Sequence, residues 1–164
     1  MNITIEEVQN QPVLLPLVRN SRYNLAICSD CPTGLPFDWI KGHMKDNHGL
    51  KCNESQILQR LQVTNPTMTS TMVKDWSQEH KILHHPIDGI PVLSGFSCST
   101  CSHSGKKDTA IYNHIHNIHR NESVCAIVIK RKVQKLFSGP IKQYIQVMDG
   151  NQEKNQIFRI GKKS

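Results

Sequence analysis

The sequence predicts an α+β fold in which two small ββα units, linker helices and a C-terminal β hairpin form one composite domain. Three features of its 164 residues lead to this prediction. Two Cys-x-x-Cys pairs stand about 70 residues apart, and a helical stretch with spaced histidines follows each pair. The last third of the chain alternates in the manner of β strands. Only 5% of the residues are aromatic, so a large self-sufficient core is not expected.

The first unit combines a strand, a cysteine pair and a helix. Residues 22–27 alternate as a strand that runs into Cys28. Residues 36–45 then read as a helix with Pro36 near its start, where the missing N–H of proline has no hydrogen bond to lose. Gly49 closes this helix.

Helices and a hinge are predicted between the two units. Asn53 and Gln56 have the spacing of a capping box, which starts a helix. Residues 64–71 are rich in Thr and broken by Pro, so they are the predicted hinge, and a helix over 73–83 follows. The expected divisions are the first unit with its helix in 1–64, a linker in 65–92, the second unit with its strands in 93–148 and a basic tail in 149–164.

The second unit is followed by β structure. Its helix is predicted over residues 108–119. The segments 124–129 and 133–137 predict strands, and a Ser-Gly-Pro turn at 138–140 leads to another strand over 143–147. These strands make up the predicted C-terminal hairpin.

The two cysteine pairs have the ligand spacing of tetrahedral zinc sites. Zn²⁺ favours four soft or borderline ligands, and Cys₂His₂ is one common closed set. A Cys-x-x-Cys turn directs two thiolates at one point, and two histidines about one helical turn apart complete the cage. Both spacings fall in the accepted range. We therefore predict a small composite zinc-binding domain with C2H2-like units and two structural zinc ions per chain, held by Cys28, Cys31, His43 and His48 and by Cys98, Cys101, His114 and His119.

Packing positions support this interpretation. An apolar residue is expected three positions before the first histidine, where Ile40 and Ile111 comply. Another is expected four positions after the second cysteine, where Leu35 fits and Gly105 does not. The core of the second unit is therefore expected to be completed by packing against Phe96, Tyr112 or neighbouring strands.

The remaining cysteines and histidines are not predicted to bind metal. Cys52 and Cys125 are interpreted as reduced thiols in the core or near the surface, since free Cys behaves as a small hydrophobe. His116 lies two residues from His114 on the predicted helix and hence on a different face. It and His103 are interpreted as solvent-facing or supporting residues. The histidines without a partnering cysteine are interpreted as polar linker residues, namely His80, His84 and His85.

Positive charge is concentrated in the second half of the chain. Residues 1–92 carry 8 Lys and Arg against 9 Asp and Glu, whereas residues 93–164 carry 12 against 4. This asymmetry favours an electrostatic partner, for which nucleic acid is the commonest candidate. A basic tail that only aids solubility is the alternative.

Only the second unit has side chains suited to nucleic acid. Base-reading fingers use helix positions −1, 3 and 6. In the first unit these positions hold Pro36, Trp39 and Gly42, none of which reads base edges. In the second unit they hold Lys107, Ala110 and Asn113. The candidate contacts are Lys106, Lys107, Asn113 and Arg120 around the helix, and Lys130, Arg131, Lys132 and Lys135 on a following strand.

Three stretches resemble a fungal domain family named after the orsellinic-acid biosynthesis cluster protein D. They are LAICSDC at 25–31, PIDGIPVLSGFSC at 86–98 and VQKLF at 133–137, so the resemblance covers about residues 20–148. The Pro-x-x-Gly-x-Pro-Val lead-in to the second pair is its most specific part. The sequence departs from the family in having no aromatic residue directly after Cys101. The resemblance implies two widely separated finger-like units, of a kind whose related segments accompany telomere-linked RecQ-type helicases and mobile elements.

These observations predict a nuclear, zinc-dependent module that associates with nucleic acid or chromatin. Phosphate contacts of the basic half are expected to dominate, with DNA favoured over RNA as the partner. The alternative is a zinc-stabilised protein-interaction or dimerisation module, because the first unit lacks base-reading side chains; a homo-oligomer is compatible with it. Forty-nine residues separate the two ligand sets, so a simple tandem array is excluded.

Enzyme and membrane functions are not predicted. Both residue types are already used as closed zinc ligands, which argues against a Cys/His catalytic pair. His84, His85, Asn113 and His114 have the residue types of an HNH-type nuclease but not its spacing. The longest apolar run, at 124–129, is far shorter than a membrane span, and residues 1–7 lack the pattern of a signal peptide, so a soluble intracellular protein is expected.

Overall fold

The computed structural model describes residues 14–123, 125–137 and 144–148. The chain forms two compact units, Met1–Asp75 and Trp76–Ser164, and each is described by itself. Within the described residues, every helix is too short or too polar to cross a bilayer. The predicted turn at 138–140 and the predicted basic tail at 149–164 lie outside the described residues.

The first unit begins with a three-stranded antiparallel sheet in the order β1-β2-β3. The predicted strand at 22–27 starts later than expected, because Asn24 adopts a left-handed conformation with φ 50° and ends the turn before β2. A single 3₁₀ turn then leads into helix α1. These elements are β1 (Leu17–Asn20), β2 (Leu25–Cys28), β3 (Thr33–Leu35), the 3₁₀ turn (Phe37–Trp39) and α1 (Ile40–His48).

Two local signals set the helix ends of this unit, and both predictions are confirmed. Helix α1 ends at Gly49, whose φ of 64° is left-handed and whose N–H donates to the Lys45 carbonyl at 3.1 Å. Helix α2 (Glu54–Leu61) starts at a complete capping box. The Gln56 N–H donates to Asn53 Oδ1, and the Asn53 N–H donates to Gln56 Oε1, both at 2.9 Å.

The capping box makes Asn53 a stabilising residue. We expect Asn53→Ala to lower the free energy of unfolding by about 0.5–2 kcal/mol, because a helix N-terminal N–H loses its acceptor. Denaturant unfolding of the zinc-loaded protein would measure the change. Asn65→Ala, in an exposed loop, is the matched control and should change stability by less than about 0.5 kcal/mol. Equal losses in the two variants would contradict the capping role.

The core of the first unit lies between the sheet, α1 and α2. Two predicted packing residues, Leu35 and Ile40, are both buried there. The predicted apolar stripe of α2 also faces this core through Ile57 and Leu61. The remaining buried apolar side chains of the cluster are Leu15, Leu17, Ala26, Cys28 and Met44.

The Thr-rich segment predicted as a hinge is fixed against the first unit at two residues. Thr67 and Met68 are buried. The Met68 N–H donates to the Asn24 carbonyl at 3.0 Å, and the Met68 carbonyl accepts from the Phe37 N–H at 2.8 Å. The composition of the segment indicated flexibility, but these backbone hydrogen bonds hold its middle in place.

Helix α3 (Ser70–Glu79) begins and ends earlier than the predicted helix over 73–83. Its first residue is bound by the Asp38 carboxylate, which accepts from the Ser70 N–H and from the Ser70 hydroxyl. Burial would raise the pKa of Asp38, but the hydrogen bonds from Ser70 outweigh burial and lower that pKa below its usual value. Residues 82 and 83 leave the helix and form a short strand.

The second unit is built on a five-stranded sheet with the order β4-β8-β6-β5-β7. Strands β7 and β8 also pair, so β5, β6, β8 and β7 close into a ring. The predicted hairpin corresponds to the antiparallel β7–β8 pair, which is part of this larger sheet. The elements are β4 (Ile82–Leu83), β5 (Val92–Cys98), β6 (Ser104–Gly105), α4 (Asp108–Ile118), β7 (Val128–Lys135) and β8 (Tyr144–Val147).

One continuous strand, β7, replaces the two strands predicted over 124–129 and 133–137. The basic residues between those apolar segments belong to the strand, because every residue from Val128 to Gln134 is in register with a partner in β5. Pairing with a distant strand therefore overrides the local interruption by charged side chains.

Close approach of β5 to its neighbouring strands explains the glycine at position 95. A Cβ at Gly95 would lie 2.6 Å from the Gly105 carbonyl oxygen and 2.6 Å from Val133 Cγ2, so only glycine fits. At Gly105, the Ile111 side chain comes within 3.4 Å of where a Cβ would stand. The unit leans on neighbouring strands, as predicted. The prediction that Tyr112 supports it is wrong, because 60% of that side chain is exposed.

A buried amide joins the segment before β5 to strand β7. Gln134 has no exposed surface, and its Nε2 donates to the carbonyls of Ile87 at 2.9 Å and Ile90 at 2.6 Å. Its Oε1 accepts from the Ile87 N–H at 2.8 Å. Ile87 and Ile90 are themselves buried. Residues 86–92 are the most specific part of the family resemblance. Three hydrogen bonds from the Gln134 side chain to Ile87 and Ile90 thus fix this segment against β7.

Candidate metal centres

The first predicted ligand set converges on one point. Cys28 ends β2, Cys31 lies in the turn to β3, and His43 and His48 project from α1. One donor atom from each residue lies within 4.8 Å of the others. His48 Nε2 is 3.3 Å from Cys28 Sγ and 3.4 Å from Cys31 Sγ. Two antiparallel strands followed by a helix therefore bring the four side chains together.

The second predicted ligand set converges in the same way. Cys98 ends β5, Cys101 lies between β5 and β6, His114 is on α4, and His119 caps the end of that helix. Their donor atoms also lie within 4.8 Å of one another. Cys101 Sγ is 3.0 Å from His114 Nε2 and 3.3 Å from His119 Nε2. The N–H of Cys98 donates to the His103 carbonyl at 2.8 Å, which closes the turn that carries both cysteines.

These separations fit a tetrahedral ion. With Zn–S of about 2.3 Å and Zn–N of about 2.0–2.1 Å, sulfur and nitrogen ligands at the tetrahedral angle stand about 3.6 Å apart. The recorded sulfur–nitrogen distances are 3.0, 3.3, 3.3 and 3.4 Å. Each Cys₂His₂ group could therefore hold one zinc ion with only small side-chain adjustments.

An unsatisfied nitrogen points to the same conclusion. His43 Nε2 is buried and has no hydrogen-bond partner among the described residues. A buried ring nitrogen without a partner is rare, and a metal ion would satisfy it. The Asn47 carboxamide lies 3.1 Å from His43 Nδ1. Asn47 Nδ2 also donates to the His43 carbonyl at 3.3 Å, so the carboxamide packs against the outer side of this ring and restricts its orientation.

Carboxylates face the outer nitrogens of two other ligands. Glu122 Oε2 is 2.7 Å from His119 Nδ1, and Asp30 Oδ2 is 4.0 Å from His48 Nδ1. A carboxylate hydrogen-bonded to Nδ1 would hold such a ring with Nε2 toward a metal. Glu122 is at that distance from His119, although its approach is not aligned as a hydrogen bond, and Asp30 at 4.0 Å is too far from His48 to make one. Reasoning from the ligand spacing missed these residues. Their positions in the sequence could have indicated them, because Asp30 lies inside the first cysteine pair and Glu122 lies three residues after the last histidine ligand.

The shifts in pKa favour the metal-binding form of the histidine ligands but not of the free thiols. Burial and then His48 lower the pKa of His43, while burial and then His103 lower the pKa of His114, so both rings favour the neutral form that binds metals. Burial, followed by the neighbouring Cys28, raises the pKa of Cys31. Without a cation that thiol keeps its proton, whereas a zinc ion would stabilise the thiolate.

The histidines outside the two ligand sets differ in their distance from the candidate metal centres. The ring of His103 stacks on that of His114, with centroids 4.2 Å apart and planes 14° apart, which restricts the orientation of the ligand ring. His116 is exposed on α4. His80 stacks on Trp76 at 5.2 Å, and His84 and His85 are exposed.

The predicted nucleic-acid contacts form two groups in the second unit. Lys106, Lys107, Asn113 and Arg120 are all exposed around α4. In β7, Lys130 is exposed, whereas Arg131, Lys132 and Lys135 are half-buried. Because side chains alternate along a strand, Lys130 and Lys132 share one face, and Arg131 and Lys135 share the other. The four cations therefore do not form a single face.

A model of the family described as Orsellinic acid/F9775 biosynthesis cluster protein D matches residues 16–120. This match covers more than half of the chain and includes all eight candidate ligands. It ends before β7, so the resemblance of residues 133–137 lies outside it. No curated protein and no solved structure matches the chain.

Proposed function

The chain belongs to the orsellinic acid/F9775 biosynthesis cluster protein D family, and we propose that it is a zinc-stabilised module that binds nucleic acid through the basic face of its second unit. It acts as a binding module rather than an enzyme, and its place is the nucleus. DNA is the favoured polymer, bound directly or within chromatin.

The zinc ions of this proposal are structural. Four protein ligands complete a tetrahedron and leave no open position for water or substrate, unlike a catalytic zinc site with three protein ligands. Each ligand set spans two antiparallel strands and the following helix. We assign these as C2H2-like ββα units in which the metal replaces part of the core that a small unit lacks.

The observation that carries nucleic-acid binding is the positive charge of β7. Its sequence, VIKRKVQK, contains four cations and no acidic residue, and its partner β5, VLSGFSC, contains none either. Lys130 and Lys132 share a face that a polyanion can reach. Such a face supplies phosphate contacts, which give affinity with little sequence preference.

The proposal predicts uniform weakening when the charge of this face is reversed. We expect Lys130→Glu with Lys132→Glu to weaken binding to DNA of unrelated sequences by similar factors. The slope of log affinity against log salt should fall by about 2, roughly one for each lost phosphate contact. Fluorescence anisotropy at several salt concentrations, with zinc present, would measure both quantities.

Matched variants distinguish the effect of this face on DNA binding from the effect of the protein's net charge. Lys51→Glu with Arg60→Glu makes the same charge change at exposed positions of the first unit and should alter affinity far less. Asn113→Ala should change sequence preference by no more than about 1–3 kcal/mol, the range for one base contact. If the β7 variant binds DNA as the unaltered protein does, phosphate binding by this face is refuted.

Protein interaction is the second candidate, favoured by apolar exposure on α4. Tyr112 is 60% exposed and Ile118 is 63% exposed on the helix that also carries His114. Six residues apart on the helix, the two side chains point about 120° away from each other, so they offer a partner two separate apolar contacts rather than one patch. A mass that rises with protein concentration, together with no DNA binding, would favour this function over the first.

A further inference from the structure

A shallow groove crosses the β5–β7 pair in the second unit. Its volume is about 360 Å³. Phe96 is directly opposite Lys130 in the register, and Ser94 is directly opposite Lys132. Directly opposed residues of an antiparallel pair project to the same side, so these four side chains share one face. The groove is lined by Ser94, Gly95, Phe96, Lys130, Arg131 and Lys132.

The two ends of this face are fixed by other parts of the unit. Beyond Phe96, the next residue on the same side of β5 is Cys98, which belongs to the second metal group. Beyond Lys132, the next residue on the same side of β7 is Gln134, which is buried against the Ile87–Ile90 segment by three hydrogen bonds. The groove therefore lies between the second metal group and the buried Gln134 amide.

The side chains in the groove combine an aromatic ring with cations. Phe96 is half-buried, so part of its ring reaches the groove. Lys132 Nζ donates to Ser94 Oγ at 3.3 Å, which holds one ammonium group at the rim, and Lys130 is exposed beside the ring. Neither strand carries an acidic residue that would neutralise these charges.

We propose that this groove binds single-stranded nucleic acid, with one unpaired base stacked on Phe96 and the adjacent phosphates on Lys130 and Lys132. The inference rests on the proposed function and adds the form of the polymer. An aromatic ring between cations on a sheet face gives a base a stacking partner and its backbone a charge partner. In a duplex the bases are already stacked on each other, so Phe96 contributes nothing and only the lysines act.

The test compares polymers and variants by fluorescence anisotropy on the full, zinc-loaded chain. Phe96→Leu removes the ring, and we expect it to weaken binding of an oligothymidylate by about 5- to 150-fold, the equivalent of about 1–3 kcal/mol for one stacked base. Binding of a duplex of equal length should change by less than about twofold. The salt slope should stay unchanged in Phe96→Leu, because no phosphate contact is lost.

Two further variants control for folding and for the ring itself. Phe37→Leu makes the same change at a half-buried position of the first unit and should leave binding of the oligothymidylate unaltered. Phe96→Trp keeps a ring and should bind the oligothymidylate at least as tightly, with quenching of the added indole fluorescence. The zinc content and melting temperature of each variant show whether it is folded. If Phe96→Leu unfolds, the affinity and fluorescence quenching of Phe96→Trp test the stacking site instead.

The outcomes separate this inference from the proposed function. If Phe96→Leu is folded and binds the oligothymidylate normally while Lys130→Glu with Lys132→Glu weakens it, the stacking site is refuted and phosphate binding stands. If the unaltered protein binds neither polymer at low salt, both fail. Equal binding of a polyglutamate peptide would also refute the stacking site. Comparing the affinities for an oligouridylate and for the oligothymidylate shows whether single-stranded RNA or single-stranded DNA binds more tightly.

Discussion

Cys98→Ser is expected to remove one of two zinc ions and to unfold most of the second unit. Cys98 is 2% exposed and stands where β5 ends, so its side chain joins the sheet to the metal group. A serine hydroxyl is a poor zinc ligand, and three remaining ligands give an incomplete cage. The strands of the ring would then lose the link to α4 that a bound zinc ion would provide.

The size of this effect follows from the coupling of metal binding to folding. Structural zinc contributes about 10–16 kcal/mol in small zinc-finger peptides at neutral pH. Small domains are stable by only about 5–15 kcal/mol, so the loss of one site is comparable to the whole free energy of unfolding of a unit of this size. Metal analysis and circular dichroism of protein purified without chelator would report the zinc count and the remaining structure.

Matched cysteine variants give the control. Cys125→Ser changes an exposed cysteine outside the ligand set and should keep two zinc ions and the full structure. Cys28→Ser should instead remove the zinc of the first unit. If Cys98→Ser stays fully folded with two zinc ions, the ligand assignment is wrong.

Gln134→Leu is the second change with a large expected effect. Leucine has a similar volume, but it leaves the Ile87 N–H and the Ile90 carbonyl without their recorded partner, whereas the Ile87 carbonyl still accepts from the Ile90 N–H at 3.2 Å. Burying backbone groups without partners costs about 1–3 kcal/mol each. Because segment mobility relieves part of this penalty, we expect a total loss of about 2–5 kcal/mol in the free energy of unfolding.

Two variants test whether the amide itself is responsible. Gln134→Glu keeps an acceptor for the Ile87 N–H but loses both Nε2 donors, and burial of its carboxylate is unfavourable, so it should also be destabilised and should recover partly at low pH. Gln78→Leu, at an exposed position, makes the same change in residue type and should alter stability by less than about 0.5 kcal/mol. Denaturant unfolding that shows no difference between Gln134→Leu and Gln78→Leu would contradict the role of the buried amide.

Local features of the fold could be predicted from the sequence because their signals are local. The capping box of Asn53 and Gln56 and the helix end at Gly49 depend on residues within one helical turn, and both are present in the structure. The ligand sets could be predicted because metal geometry restricts the spacing of Cys and His along a strand–turn–helix unit. The structure brings each predicted set together; zinc binding by them stays a proposal.

Non-local features could not be predicted in this way. Strand β7 runs through a basic segment because β5, more than 30 residues earlier, supplies its partners. The closed ring depends on β8 pairing with both β6 and β7, which no local pattern encodes. A glutamine in a β-like stretch gives no sign that it will be buried, so the role of Gln134 was missed. Once the register of β5 and β7 is known, it places Lys130 directly opposite Phe96.

Two zinc ions per chain, each in a Cys₂His₂ shell, are proposed for this protein. Zinc K-edge X-ray absorption on the unaltered protein, combined with metal analysis, tests this proposal most directly. We predict two zinc ions per chain and a mean shell of two sulfurs at about 2.3 Å and two nitrogens at about 2.0–2.1 Å. One zinc ion or none, or a shell with oxygen ligands and an open position, would contradict the account.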